Sequence, residues 1–449
     1  MHRTALSFVL GALPLVAGLG CSSTGDPNTA TSPTGTDGAV ADAAADGAAP
    51  ADASTAPPDA APDGPRDASA ATSAADAGDA GADETLPWAG GSSYYAKWPH
   101  GPSTSPSFFP ISVWLQSPSN AAAYAAIGIN QYIGLYNTPT TADFTSLTSA
   151  SVRVAFDQSS VGLAHVGDPI VFGWTQQDEP DNAQPIDGGY GPCVAPSTIQ
   201  GIYATFTSKD PSRPVFLNVG QAVAVPTWPG RGSCSAQPQD YPKYFQGADI
   251  VSFDVYPVND GYDLGVVAKG VDFLGQSAGY AKPVWNWIEC TGINGPSGKP
   301  TPAQVKAEVW MSIIHGSMGI GYFVHQFAPT FDERALLDDA VMKPAVAAIN
   351  AQITSLAPVL NTPPLKAAAS ATSSAAGESI DVMARRSAGA TYVFAVAMGS
   401  TPATGSFQVT KLPAAATADV LGESRQIPVS GGAFTDTFAG WGVHLYRIQ

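Results

Sequence analysis

The chain has 449 residues, 44% of them apolar and only 13% charged, with 37 acidic against 20 basic side chains and a net charge of −17. The apolar fraction supports a real core, so a wholly disordered chain is excluded. The acidic balance excludes a nucleic-acid surface, which needs clustered Lys and Arg, and docking on anionic lipid by charge alone.

The charge is unevenly spread. Residues 22–87 hold 12 acids and one base, Arg66, whereas residues 88–449 hold 25 acids and 18 bases. Most of the excess therefore belongs to a short N-terminal stretch. Ahead of it, Met1–Arg3 is weakly basic, and an apolar run from Leu6 to Leu19 contains Pro14. That run is too short and broken for a membrane span and reads as the core of a signal peptide. It ends in Ala17-Gly18-Leu19-Gly20-Cys21. Small residues before a cysteine resemble a bacterial lipobox, which implies lipidation at Cys21 and a membrane anchor there; Gly18 departs from the usual leucine. An ordinary secretory signal is the alternative. Residues 22–87 are almost wholly Ala, Asp, Gly, Pro, Ser and Thr. Such a segment buries too little apolar area to offset chain ordering, so a disordered spacer spanning about 45 Å is expected. An exported lipoprotein at the bacterial surface or outer membrane follows, with the periplasm as the alternative. Export permits disulfides, and Cys193 and Cys234 lie in two Gly/Pro-rich loops that could pair, leaving Cys290 odd.

From residue 88 to about 360, short apolar runs alternate with helix-like stretches. The expected strands are Phe109–Leu115, Gly128–Leu135, Val152–Phe156, Ile170–Gln176, Val215–Val219, Ile250–Tyr256, Val284–Ile288 and Gly319–Phe327. Each is apolar on both parities, as buried parallel strands are. Helices are expected at 119–126, 142–149, 197–208, 239–246, 264–277, 302–317 and 338–356, several with good starts, such as Thr301 before Pro302. About eight strand–helix units in about 250 residues predict an α/β fold, a (β/α)8 TIM barrel over residues 88–360. A doubly wound sheet is the runner-up, but no Gly-rich phosphate loop follows the first strand. From 361 to 449 strand-like runs at 391–398, 405–409, 418–421 and 442–448 have no long helix between them, which predicts a small antiparallel β-domain.

In a parallel barrel the site lies at the C-terminal ends of the strands. There the fourth expected strand runs into Trp174-Thr175-Gln176-Gln177-Asp178-Glu179-Pro180. The sixth ends in Asp254-Val255-Tyr256-Pro257, the seventh in Trp285-Asn286-Trp287-Ile288-Glu289 and the eighth in Val324-His325-Gln326. A glutamate before Pro at strand 4 and a second at strand 7 resemble the clan A retaining glycoside hydrolases, over about residues 105–360. The tail Phe438-Ala439-Gly440-Trp441-Gly442 is similar to the closing strands of the β-domain often attached to such barrels. The resemblance implies hydrolysis of a β-linked glycan by double displacement, without cofactor or metal, with Glu179 as acid/base and Glu289 as nucleophile about 5 Å apart. It further implies Tyr256 hydrogen-bonded to Glu289, Trp287 and Trp174 as flat sugar-facing walls, and His325, Asn218 and Asn137 as hydroxyl partners. One position departs from the clan. Asp178 stands where Asn usually bonds the sugar 2-hydroxyl, and its charge beside Glu179 should raise that group's pKa.

Other readings compete. Asp178, Glu179 and Asp181 could ligate a hard cation, making a metal-dependent hydrolase. A non-catalytic, carbohydrate-binding lipoprotein on a degenerate barrel is the main alternative. Trp114 and Trp285 read as core, and His165 and His315 as surface or packing residues. Gly275-Gln276-Ser277-Ala278-Gly279 matches a nucleophile elbow, but a helix precedes it and a strand follows, the reverse of what that elbow needs. A monomer is expected, with a carbohydrate partner and no nucleic acid.

Overall fold

The computed structural model describes residues 83–449, apart from 188, 229, 231–233, 235 and 236. The expected signal peptide, Cys21 and nearly all of the 22–87 spacer lie outside these residues. The spacer's last five residues do not. Thr85 pairs with Leu365, the Leu86 N–H donates to Pro364 O (2.9 Å), and Asp83 meets Lys411 and Arg386. Residues 83–86 thus already contact the folded part.

Eight parallel strands close into a barrel. They are β1 (Ile111–Trp114), β2 (Gln131–Ile133), β3 (Arg153–Phe156), β4 (Val171–Thr175), β5 (Val215–Val219), β6 (Ile250–Asp254), β7 (Val284–Glu289) and β8 (Ser317–Phe323). Each pairs with its sequence neighbour, and β8 closes on β1 through Ile111↔Ile320. Helices follow the strands in turn: α1 (Ala121–Ala125), α2 (Thr141–Ala150), α3 (Ser160–Ala164), α4 (Pro196–Lys209), α5 (Tyr241–Tyr244), α6 (Val266–Ser277), α7 (Pro302–Ile314) and α8 (Met342–Leu360). Local chemistry sets the starts of several. Thr140 with Asp143, and Thr301 with Gln304, form reciprocal capping boxes, the latter with Pro302 in the first turn. The five-residue α3 carries too little pattern to be expected from sequence.

Ile133, Ala155, Phe172, Phe216, Ile250, Trp285, Trp287 and Phe323 fill the barrel interior. Two glycines on β8 make room for the two indoles. A Cβ at Gly319 would lie 2.6 Å from the Trp285 ring, and one at Gly321 would lie 2.3 Å from that of Trp287. A second, larger core lies between strands and helices.

Beyond α8, eight antiparallel strands form one sheet: β9 (Ala369–Ser373), β10 (Ile380–Ser387), β11 (Ala390–Ala397), β12 (Ala403–Val409), β13 (Ala415–Val420), β14 (Arg425–Ser430), β15 (Ala433–Phe438) and β16 (Val443–Ile448), in the order β9-β12-β15-β14-β13-β16-β11-β10. The sequence pointed to four of them. The other four carry Ala, Ser, Thr, Arg and Asp with few large apolar side chains, so their period is faint. One face of the sheet holds its own core around Phe407, Phe434 and Tyr446. The other packs on the barrel helices, where Trp310 of α7 stacks on Phe394 at 5.4 Å. Among the described residues no helix is long and apolar enough to cross a membrane.

Candidate active site at the barrel mouth

Side chains alternate along a strand, so the interior residues fix which others face the same way. Asn218 stands two residues beyond interior Phe216. Ser252 and Asp254 stand two and four beyond Ile250, and Glu289 two beyond Trp287. All four therefore share the interior face, at or near the C-terminal ends of β5, β6 and β7.

Asn218 organises the centre. Its amide nitrogen donates to Asp178 Oδ1 (3.0 Å) and to Asp254 Oδ1 (2.8 Å), and its oxygen accepts from Ser252 Oγ (2.7 Å). One side chain thus joins two carboxylates, and the serine fixes which way the amide faces. Asp178 and Asn218 were both expected to bond a sugar; here they are bonded to each other. Asp254 was not singled out from sequence as a site residue. Its position at the end of β6, in a run similar to the clan, was the available signal. Burial pushes its carboxyl well above the usual range, and the charges of Glu179 and Asp178 push it further, against the opposing pull of Asn218. Tyr256 gives its hydroxyl to Asp254, not to Glu289 as the resemblance implied.

Glu179 is buried on the loop after β4. Its backbone N–H donates to Asn218 O (3.1 Å), and Asn182 Nδ2 donates to Oε2 (3.2 Å). Oε1 lies over Gly220, where a Cβ would come within 3.2 Å. The residue holds φ at +41°. A non-glycine residue in that region is strained, and such strain gathers at functional positions. Asp181, two residues on, is buried and accepts from Gly220 N and Tyr241 Oη, both at 2.9 Å. Burial takes its carboxyl up to about 6 despite those bonds. The loop is clamped by a disulfide between Cys193 and Cys234, with Cα atoms 5.6 Å apart. Cys290 is a buried free thiol.

Glu289 ends β7 and is fully buried. Oε1 accepts from Val258 N (2.5 Å), and Oε2 accepts from Asn259 N (2.9 Å) and Asn259 Nδ2 (2.5 Å). The carboxylate therefore caps the short helical turn Pro257–Asp260. Burial raises it to about 7, more than these donors lower it.

The aromatic expectations divide. Trp287 is interior, its Nε1 donating to Ser252 Oγ (3.2 Å) and its ring edge-on to Trp114 at 5.1 Å, so it is barrel filling beneath the acids. Trp174 faces the other way. The β3–β4 pairing slips by one residue between Val154↔Val171 and Ala155↔Gly173. Such a bulge reverses the alternation beyond it, and the Trp174 indole donates outward to Asp210 (3.0 Å) under the Arg213 guanidinium. Trp174 thus packs between barrel and helices instead of walling the mouth. Asn137 is exposed on the loop after β2. His325 is buried with Nε2 donating to Leu115 O (2.9 Å), and burial draws its pKa down to about 4, so the ring is neutral. Around it stand Tyr136, Phe323, Phe327 and Phe331, of which the last two are exposed. Among the described residues no group of three or more His, Cys, Asp and Glu side chains is placed to hold a metal ion.

Fold and mouth together define a (β/α)8 barrel with an appended antiparallel β-domain and a carboxyl-rich site at the strand ends. That architecture is shared with solved structures. An alpha-amylase from Geobacillus thermoleovorans, complexed with acarbose, is similar at TM-score 0.50 and 11% identity over 76% of this chain and 98% of that one. An alpha-amylase from Anoxybacillus follows at 0.49 and 9% over 77% and 99%, and a GH30 endoxylanase from Clostridium papyrosolvens at 0.46 and 11% over 81% and 97%. At these identities the likeness is one of fold. No family model matches the chain, and no curated protein is similar to it in sequence.

Proposed function

We propose that the chain is a glycosidase that hydrolyses O-glycosyl bonds of a β-linked glycan with retention. The observation that carries the proposal is the gathering of buried carboxyl groups at the C-terminal end of the barrel, with Glu179 on the loop after β4, Asp254 ending β6 and Glu289 ending β7. A barrel of the same architecture in an alpha-amylase, found with acarbose bound, agrees with a glycoside as substrate. The reaction needs a proton donor for the leaving oxygen and an ionised carboxylate for the anomeric carbon. Glu179 takes the first role. Its oxygen lies beside the bare backbone of Gly220, and its strained backbone aims the side chain. Glu289 takes the second: its N–H donors are placed to stabilise the anion, against the burial that brings its carboxyl up to about 7. Asn218 and Tyr256 hold Asp254 beside Glu179 and set the field there.

Glu179→Gln and Glu289→Gln are each expected to lower turnover of an activated aryl β-glycoside by roughly a hundred- to ten-thousandfold with the fold intact. Wild-type rates in both would sink the assignment.

A second reading draws on one observation. Both Glu289 oxygens are occupied by protein donors and the side chain is fully buried, as in a barrel that binds glycan without cleaving it. Glycan binding with no turnover in the wild type would decide for that reading. We further propose export with lipidation at Cys21; Cys21→Ala should move the protein from the membrane fraction to the soluble one.

A further inference from the structure

The hairpin-like segment after β8 presents two aromatic rings to solvent. Phe327 is 37% exposed and Phe331 is 49% exposed. Their rings and that of His325 have centroids 5.8–6.3 Å apart and planes agreeing within 14–26°. Isolated exposed apolar residues need no explanation, but these are rigidly held. Gln326 and Asp332 exchange backbone hydrogen bonds of 3.0 and 2.8 Å, and Phe327 N donates to Ile293 O (2.7 Å). Glu333 then pins the segment to the loop after β1. Its carboxylate accepts from Ser117 Oγ (2.9 Å) and Asn120 Nδ2 (3.0 Å), and its carbonyl accepts from Gln116 Nε2. A frame of polar bonds thus keeps two hydrophobic rings in water, which is unfavourable unless something covers them.

The rings continue the candidate site. Tyr256, which pairs with Asp254, lies 5.1 Å from Phe323, and Phe323 lies 6.1 Å from Phe327. A chain of ring contacts, buried at Tyr256 and Phe323 and exposed at Phe327 and Phe331, therefore links the carboxyl cluster to the surface. Its acidic neighbours include Asp178 and Glu179 near Tyr256, Asp332 near His325, and Glu333, whereas Arg334 is already engaged with Asp338 and Asn120. That field disfavours an anionic ligand.

We propose that Phe327 and Phe331 form a subsite for further sugar units of a neutral glycan chain, extending the substrate beyond the bond at Glu179 and excluding uronate polymers. This rests on the reading of the mouth as a glycan site. The flat apolar face of a pyranose covers an aromatic ring as another ring would, and such contacts contribute enough for about a three- to tenfold change in affinity per ring.

The test uses Glu179→Gln protein, so that binding is seen without turnover, and calorimetric titration with hexamers of β-linked glucose, xylose and mannose, and with hexagalacturonate. At least one neutral hexamer should bind more tightly than hexagalacturonate. Phe327→Ala and Phe331→Ala should each weaken that binding by about three- to tenfold, and Phe331→Trp should restore it. Near-UV circular dichroism checks that the variants fold. The proposal falls if no neutral hexamer binds, if the alanine variants bind as the parent does, or if hexagalacturonate binds best. Aryl-glycoside turnover by the wild type is measured separately. Ring-dependent binding with no such turnover would leave this subsite standing and remove only the catalytic reading.

Discussion

Asn218 has an unusual task, because its amide nitrogen donates to both Asp178 and Asp254 in a site crowded with acids. Replacing it by alanine removes the donor while the buried Asp254 stays. A buried partner left unsatisfied costs about 1–3 kcal/mol. Asn218→Ala should therefore lower the thermal midpoint and depress turnover, as scanning calorimetry and an aryl-glycoside assay would show. Asn218→Asp should be worse on both counts, since it replaces the donor by a further carboxyl. At this scale the sequence showed the residue types but not their partners. Glu179 and Glu289 could be picked out from their places beyond apolar runs, and Asn218 from its place near the end of one. That Tyr256 serves Asp254, and that Glu289 caps a turn, depends on loop paths that no local pattern encodes.

Among the elements, the strands of the barrel were legible because each is buried on both faces and bounded by turns. Their side-chain directions were less so. The slip at Val171–Gly173 is a difference of one residue, and it turns Trp174 from the mouth to the helical layer. The large indoles on β7 required the opposite inference, since glycines at 319 and 321 on the neighbouring strand are the space they occupy. Gly321→Ala would place a methyl group 2.3 Å from the Trp287 ring. It should destabilise the barrel by about 1–3 kcal/mol, read as a lower denaturant midpoint. Because Trp287 lies under Ser252, the same variant should also disturb the acids above it.

At the scale of the whole molecule, His315 joins the two folded parts. Nδ1 lies 3.0 Å from Asp272 on α6, and Nε2 lies 3.1 Å from Asp381 on β10. Burial pulls its pKa down, but the two carboxylates outweigh this and bring it up to about 9. A raised histidine contributes stability in full below its unfolded value near 6.5, and that contribution is lost as pH climbs through 9. Asp272 is half exposed, so after solvent screening the bridge contributes about 1 kcal/mol. The wild type should lose thermal stability between pH 6.5 and 9 by more than His315→Gln does. Equal slopes would show that the bridge contributes nothing. The sequence marked this histidine only as a packing or surface residue, since its two partners lie 43 and 66 residues away.

The clamp between Cys193 and Cys234 ties the loop bearing Glu179 and Asp181 to the loop after β5, closing 41 residues of chain. By chain entropy alone such a closure contributes about 4 kcal/mol. A reducing cytosol would not maintain it. Newly made protein there would hold the loop by non-covalent contacts only, and the acids with it. Dithiothreitol should accordingly lower kcat, with recovery on reoxidation. If the proposed export holds, the mouth would be slack where the chain is synthesised and drawn taut only once this bond has formed.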